Sequence, residues 1–139
     1  MHEIKSIQRI FLSLFVVDID IIHFYKRASD VALKLPGALA STSYGTPAFK
    51  VNKKLFARLR EDGKTLVVYT DDRDKWMKKN PGTFFITDHY KNYPLMLIDL
   101  ATVKDKDLQS LILASWKLRA PKDLLSASTL TTAARWHSL

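Results

Sequence analysis

The apolar positions near the start of the chain have a helical spacing. They recur every three or four residues and form one stripe, which comprises Ile21, Phe24, Tyr25, Ala28, Ala32 and Leu35. This spacing predicts a helix with one buried face. Pro36-Gly37 ends it, because proline cannot continue a helix and glycine favours the reversal of the chain.

The spacing then changes to a period of two, which is typical of strands. Two runs, Ala48–Val51 and Lys54–Arg60, stand on either side of the short turn Asn52-Lys53. A second tight-turn signal, Asp62-Gly63, precedes the apolar run Thr65–Tyr69. Connections this short predict three consecutive antiparallel strands.

The second half of the chain predicts a short helix, two more strands and a long helix. The short helix begins at Asp71 or Asp72 and runs through Lys79, and the strands are Thr83–Thr87 and Pro94–Leu100. The stripe of the long helix comprises Leu108, Leu111, Ile112, Ser115, Trp116 and Arg119. We therefore expect an α+β fold, a two-layer antiparallel sheet of about five strands with helices packed on one face.

Composition narrows the class of protein. The chain has 139 residues, is 47% apolar and contains no cysteine. One domain with a real core is expected, and disulfides and thiolate chemistry are excluded. The absence of cysteine fits a reducing cytoplasm, which is the expected location. The apolar run Ile10–Val17 is too short for a membrane span, so we expect no span. The net charge of +8 favours an anionic partner, although a merely basic surface explains it equally well.

Three motifs resemble the MmcQ/YjbR family. They are "TSYGTPAF" with the following "KLFARL", then "TDHYKNYPLMLIDL", and finally "LILASWKLRAPKDL". The resemblance implies a CyaY-like fold and a DNA-binding role through a double-wing arrangement of hairpins. It also implies a family-like domain over residues 20–125, with an N-terminal extension at 1–19 and a Ser/Thr-rich tail at 126–139.

The pattern of reactive side chains favours a protein without catalysis. Hydroxyl groups cluster between Ser41 and Thr46, but no base stands near them in the sequence. Gly45 and Pro47 are interpreted as residues that shape the backbone: Gly45 permits a turn, and Pro47 starts a strand. The histidines are scattered and no phosphate-binding loop occurs. We therefore expect no enzyme activity, no metal and no cofactor.

The basic residues of the hairpins and of the last helix form the leading candidate site. We predict that they contact the phosphates of nucleic acid, with DNA as the expected partner, while Phe56 stacks on a base. The predicted set is Lys50, Lys53, Lys54, Phe56, Arg58, Arg60, Lys64, Lys117, Arg119 and Lys122. Two alternatives stay open: the lysines protect strand edges, and Phe56 belongs to the core.

A second hypothesis is a protein-interaction or small-ligand module. In it the face of the sheet and the loop "DHYKNY" form a pocket. Its candidate residues are Asp88, His89, Tyr90 and Tyr93, which could hold a small anion. The alternative is a loop fixed by its own hydrogen bonds. The sequence leaves the oligomeric state open.

Overall fold

The helices and strands follow the predicted order, with one additional strand and one additional short helix. The structure, a computed structural model, describes residues 19–126, so nearly all of the predicted extension and tail lie outside the described residues. The elements are α1 (19–32), β1 (Ala38–Ser43), β2 (Thr46–Val51), β3 (Lys54–Leu59), β4 (Thr65–Tyr69), α2 (Arg73–Lys79), β5 (Phe84–Phe85), β6 (Leu95–Asp99), α3 (Asp105–Arg119) and α4 (122–126).

The strands form one antiparallel sheet in the order β1-β2-β3-β4-β6-β5. The predicted α+β class is confirmed, and the sheet has six strands where about five were expected. The additional strand is β1, an edge strand of small and polar residues with little burial. Because β1 is covered so little, its sequence lacks the apolar alternation that announces a strand.

Two tight turns define the first three strands. Tyr44 and Gly45 join β1 to β2 with φ of 52° and 77°, and Asn52 and Lys53 join β2 to β3 with φ of 48° and 67°. Two consecutive left-handed residues match the right-handed twist of the flanking strands. Gly45 therefore permits the turn between β1 and β2, as predicted.

The main core lies between one face of the sheet and the helices. The predicted stripe of α3 is confirmed, since Leu108, Leu111, Ile112, Ser115 and Trp116 are all buried. The indole Nε1 of Trp116 donates to the carbonyl of Pro36 at 3.0 Å, which ties α3 to the segment after α1. In α1, the Tyr25 ring stacks on Phe49 of β2 with centroids 5.9 Å apart.

A bulge in β3 changes which side chains face the helices. Lys50 pairs with Leu55 and Phe49 pairs with Ala57, so Phe56 has no partner opposite it. An extra residue of this kind breaks strict alternation. As a result Phe56 is turned into the helix-side core, where it is 0% exposed, and Leu55 lines the opposite face.

Candidate ligand site on the open face of the sheet

The face of the sheet away from the helices carries a second, smaller apolar cluster. Val67 and Leu97 of the central strands are buried there against Tyr90, and Phe85 and Leu95 pack around them. Tyr90 ends the 3-10 turn Asp88–Tyr90, which belongs to the predicted loop "DHYKNY". The loop therefore covers part of the open face, as the second hypothesis expected.

Arg73, the first residue of α2, fixes this loop in place. Its guanidinium donates to the carbonyls of Tyr90 at 3.2 Å, Tyr93 at 2.8 Å and Lys91 at 2.7 Å. It also donates to the carbonyl of Leu95 at 3.2 Å, where β6 begins. A single planar fork that meets several carbonyls restricts the path of the backbone. The loop is thus anchored to α2 and β6 together.

A cavity of about 610 Å³ opens between the loop and the sheet. This volume lies within the range of small-molecule sites. Apolar and aromatic side chains make up most of its lining, and a few polar groups interrupt it. The lining residues are Tyr44, Leu55, Ala57, Arg58, Glu61, Val67, Tyr69, His89, Tyr90, Tyr93 and Leu95.

Arg58 is the buried charged group of the cavity and is only 9% exposed. It donates to the hydroxyl of Thr46 at 3.0 Å and to that of Tyr90 at 3.2 Å. The carbonyl of Leu59 accepts a longer bond at 3.4 Å. The Tyr44 ring lies above the guanidinium, with its centroid 5.5 Å from Cζ. The strand and both flanking loops therefore hold this arginine in one orientation.

Glu61 stands beside Arg58 at the start of the turn between β3 and β4. Its Oε1 lies 3.3 Å from the Arg58 guanidinium, and its side chain is 67% exposed. A hydrogen bond from its own backbone N–H, followed by that from Arg58, lowers the pKa of Glu61 below its ordinary value of 4.5. The carboxylate is therefore held in its charged form next to the buried cation.

Asp62 shapes the same turn. Its Oδ1 accepts from the backbone N–H groups of Lys64 and Thr65, each at 3.0 Å, and its Oδ2 accepts from the Thr65 hydroxyl at 2.7 Å. Partial burial is the largest single influence and opposes ionisation. The three hydrogen bonds together outweigh it and lower the pKa of Asp62 from its ordinary value of 3.8.

The predicted ligand-loop residues are only partly brought together. His89, Tyr90 and Tyr93 line the cavity, and the rings of His89 and Tyr90 meet edge to face at 4.9 Å. Asp88 is exposed and lies outside the lining. Among residues 19–126, no group of three or more histidine or acidic side chains is placed to hold a metal. Over the same range, no helix is both long and apolar enough to cross a membrane.

The predicted nucleic-acid residues are divided between the two ends of the sheet. Lys53 lies in the turn before β3 and Lys54 is the first residue of that strand, whereas Arg60 and Lys64 lie at the turn after it. A strand of six residues separates these turns by about 20 Å, so the two hairpin tips cannot form one patch. Lys50 is partly buried in β2, and Lys117 and Lys122 are exposed near the end of α3.

Two predictions in this set need correction. Phe56 is in the core and cannot stack on a base. Arg58 is buried among hydroxyl and ring partners, so it is not a surface contact for phosphate. Arg119 is partly exposed, and its Nε donates to the Leu55 carbonyl at 2.9 Å while its Cζ lies 4.3 Å from the centroid of the Tyr69 ring. The bulge explains the first error, since the prediction assumed unbroken alternation.

Tyr44, Glu61 and Tyr69 belong to the site although the sequence did not mark them as members. Tyr44 falls within the cluster of hydroxyl groups between Ser41 and Thr46, and the sequence assigns no role to Glu61 or Tyr69. The sequence held no signal for the burial of Arg58, because an arginine between Ala57 and Leu59 fits a strand with one face in water. The partners themselves come from distant turns, and only the folded sheet brings them together.

Comparisons with known proteins agree with the fold. The chain matches the model of the YjbR family over residues 33–118. Over 47 residues it is 43% identical to uncharacterized proteins of Mycobacterium bovis and Mycobacterium tuberculosis, a match that covers 34% of this chain and 36% of each relative. The chain thus matches little more than a third of the length of these curated relatives.

A solved structure is also similar. It is the crystal structure of a Deinococcus radiodurans protein with the domain DUF419, and the TM-score is 0.56 at 21% sequence identity. The match covers 65% of this chain and 73% of the other. This likeness shows a shared fold.

Proposed function

The chain belongs to the YjbR family, and from that premise and the geometry of the open face we propose that it is a small-ligand-binding module. The site is the cavity of about 610 Å³ between the sheet and the loop that Arg73 anchors. The proposal includes no catalytic step, because no two of the described side chains that line the cavity are paired as nucleophile and base.

The observation that carries the proposal is the buried Arg58 in an apolar, aromatic cavity. Burying a cation is costly unless it serves packing or binding, and an apolar residue of similar size fills a sheet face more cheaply. Cavities that combine apolar walls with a few fixed polar groups are typical of sites for organic molecules. Arg58 with Thr46 and Tyr90 supplies such a fixed group.

The test is a screen of small organic fragments against the protein and two turn variants. Tyr44→Gly removes the ring above Arg58, while glycine suits the φ of 52° at this position. Asn52→Gly makes the matching change at the other hairpin, where φ is 48° and the residue lies outside the cavity lining. Both variants should keep their stability within about 0.5 kcal/mol, because Gly-Gly and Gly-Lys turns accept left-handed backbone.

Fragments that bind in the cavity should raise the melting temperature of the wild-type protein and of Asn52→Gly, with a clearly smaller effect on Tyr44→Gly. The proposal fails if no fragment of a broad library binds. It also fails if every binder acts equally on both variants, which would locate binding away from Tyr44.

DNA binding is a second candidate, favoured by a reduced basic patch. The Leu55 carbonyl bond to Arg119 brings the end of α3 beside the turn that carries Lys53 and Lys54. Lys117 and Lys122 are exposed near that same end. The CyaY-like fold and the double-wing arrangement of hairpins stay predictions. The support for phosphate contact is the group of basic side chains at one end of the sheet.

The DNA hypothesis is tested by the salt dependence of binding to a mixed-sequence duplex. Alanine at Lys53, Lys54, Lys117 and Lys122 should flatten the log–log slope by roughly 0.9 for each phosphate that is no longer neutralised. Lys64→Ala, at the opposite end of β3, is the control and should leave the slope unchanged. Equal slopes in the fourfold variant and wild type, or no salt-sensitive binding, would reject this candidate.

A further inference from the structure

The bonds around Arg58 leave its charge incompletely compensated. Two of its partners, the hydroxyls of Thr46 and Tyr90, are neutral. Among residues 19–126, Glu61 is the carboxylate that pairs with it. A cation that is nine-tenths buried gains most from an anion that shares its low-dielectric surroundings. Glu61 meets this need poorly, because two thirds of its side chain is in solvent.

The contact between Glu61 and Arg58 is also long. Its 3.3 Å separation exceeds the roughly 2.7–2.9 Å that is typical of a charge-assisted hydrogen bond. Exposed ion pairs of this kind contribute little to stability, so releasing the carboxylate to water costs little. Its position in a turn lets the Glu61 side chain swing away without moving the strand.

We propose that the cavity takes an organic carboxylate with a flat apolar or aromatic body, and that the ligand's carboxylate replaces Glu61 on Arg58. This inference rests on the ligand-binding function proposed above. Glu61 then occupies the anion position in the empty protein and leaves it when the ligand arrives.

The cavity walls fit such a ligand. Leu55, Ala57 and Val67 provide apolar surface beside Arg58, and Leu95 continues it along the sheet. The rings of Tyr44 and Tyr69 offer faces for a flat molecule, and the Tyr69 ring is already backed by Arg119. A carboxylate at the guanidinium and an aromatic body along the strands satisfy the polar and apolar parts of the cavity together.

The experiment compares matched acids and amides by calorimetry and NMR titration. The probes are phenylacetate with phenylacetamide and indole-3-acetate with indole-3-acetamide. Each acid should bind the wild-type protein about tenfold more tightly than its amide, because only the acid forms charge-assisted bonds with Arg58. Amides that bind as tightly as the acids would overturn the inference.

The Glu61→Gln variant tests the replacement of Glu61 directly, because it removes the competing charge and leaves the turn bonds of Asp62 in place. It should raise the affinity for the acids about threefold and leave the affinity for the amides unchanged. Asp30→Asn, an equal change in net charge on α1, is the control and should alter neither. Arg58→Lys keeps the positive charge but loses the planar fork that pairs with a carboxylate, so it should reduce the preference for acids, and its fold is checked by its melting temperature.

The outcomes separate the two proposals. Binding of neutral fragments in the cavity, with no acid bound by wild type or Glu61→Gln, overturns the carboxylate inference and keeps the ligand site. An effect of Asp30→Asn equal to that of Glu61→Gln also overturns it, because general charge would then explain the gain. A cavity that binds no fragment of either kind rejects the ligand-binding function itself.

Discussion

At the scale of single residues, Arg58 is the buried charge on the open face of the sheet. It stands in a strand between the buried Ala57 and Leu59, and it is held by partners from three other segments of the chain. Its role differs from that of a surface arginine, because the Tyr90 hydroxyl is a buried acceptor for its Nη2, and removing that acceptor leaves a buried donor unsatisfied.

The Tyr90 hydroxyl should matter for stability because of this arginine. Tyr90→Phe removes an acceptor 3.2 Å from the buried guanidinium and should lower the free energy of unfolding by about 1–3 kcal/mol. Tyr93→Phe is the matched control, since Tyr93 is 57% exposed, and it should change stability by less than about 0.5 kcal/mol. Urea unfolding measures both. Equal effects would mean that the Tyr90–Arg58 bond is unimportant.

Acid should weaken the turn that carries Glu61 and Asp62. Both carboxyls have a folded-state pKa below their ordinary values of 4.5 and 3.8, so the unfolded chain binds protons first as pH falls. Their contribution is complete above those ordinary values and is lost as pH falls through the lower folded-state values.

The check is the urea midpoint measured from about pH 6 to pH 3. The double variant Glu61→Gln, Asp62→Asn should lose less stability over this interval than the wild-type protein. A variant curve that falls as steeply as the wild-type curve would show that these two carboxyls do not account for the acid sensitivity.

At the scale of elements, the local rules of the sequence predicted most of the fold. The stripe of α3 and the turns Asn52-Lys53 and Asp62-Gly63 follow directly from spacing and turn chemistry, and the structure confirms the helix and the hairpins. β1 was not predicted because an exposed edge strand needs no apolar alternation. The bulge at Phe56 was not predicted because a bulge depends on how two strands pair.

The turn before β3 offers a test of backbone strain. Lys53 has a φ of 67°, which side chains other than glycine rarely adopt, so Lys53→Gly should raise the free energy of unfolding by about 0.5–1 kcal/mol. Lys54→Gly, the next residue and the first of β3, should lower it by a similar amount, about 0.5–1 kcal/mol. Thermal unfolding compares the two. Changes of the same sign would contradict the assigned turn.

At the scale of the whole molecule, the two faces of the sheet differ in character. The helix-covered face holds the main core, and the other face combines an apolar cluster with the cavity around Arg58. The sequence pointed to the loop residues His89, Tyr90 and Tyr93 as one side of a pocket but did not reveal its opposite wall. Tyr44 and Glu61 come from two turns that antiparallel pairing places at the same end of the sheet, a relation that spacing along the chain does not show.

The net charge of +8 did not predict where the basic side chains lie on the surface. Together with the basic hairpins it suggested one basic surface across the hairpin tips, whereas antiparallel pairing places successive hairpin turns at opposite ends of the sheet. Charge counted along the sequence therefore overstated the extent of one basic surface and did not reveal that Arg58 is buried.

The central claim is that the ligand site is the open-face cavity, and NMR mapping of amide shifts tests it most directly. Phenylacetate and a mixed-sequence DNA duplex are titrated separately into the wild-type protein. We expect phenylacetate to shift the amides of Ala57, Arg58, Val67 and Tyr90, with little change at the turn Asn52-Lys53. Shifts confined to that turn with DNA, and none in the cavity with phenylacetate, would contradict the account.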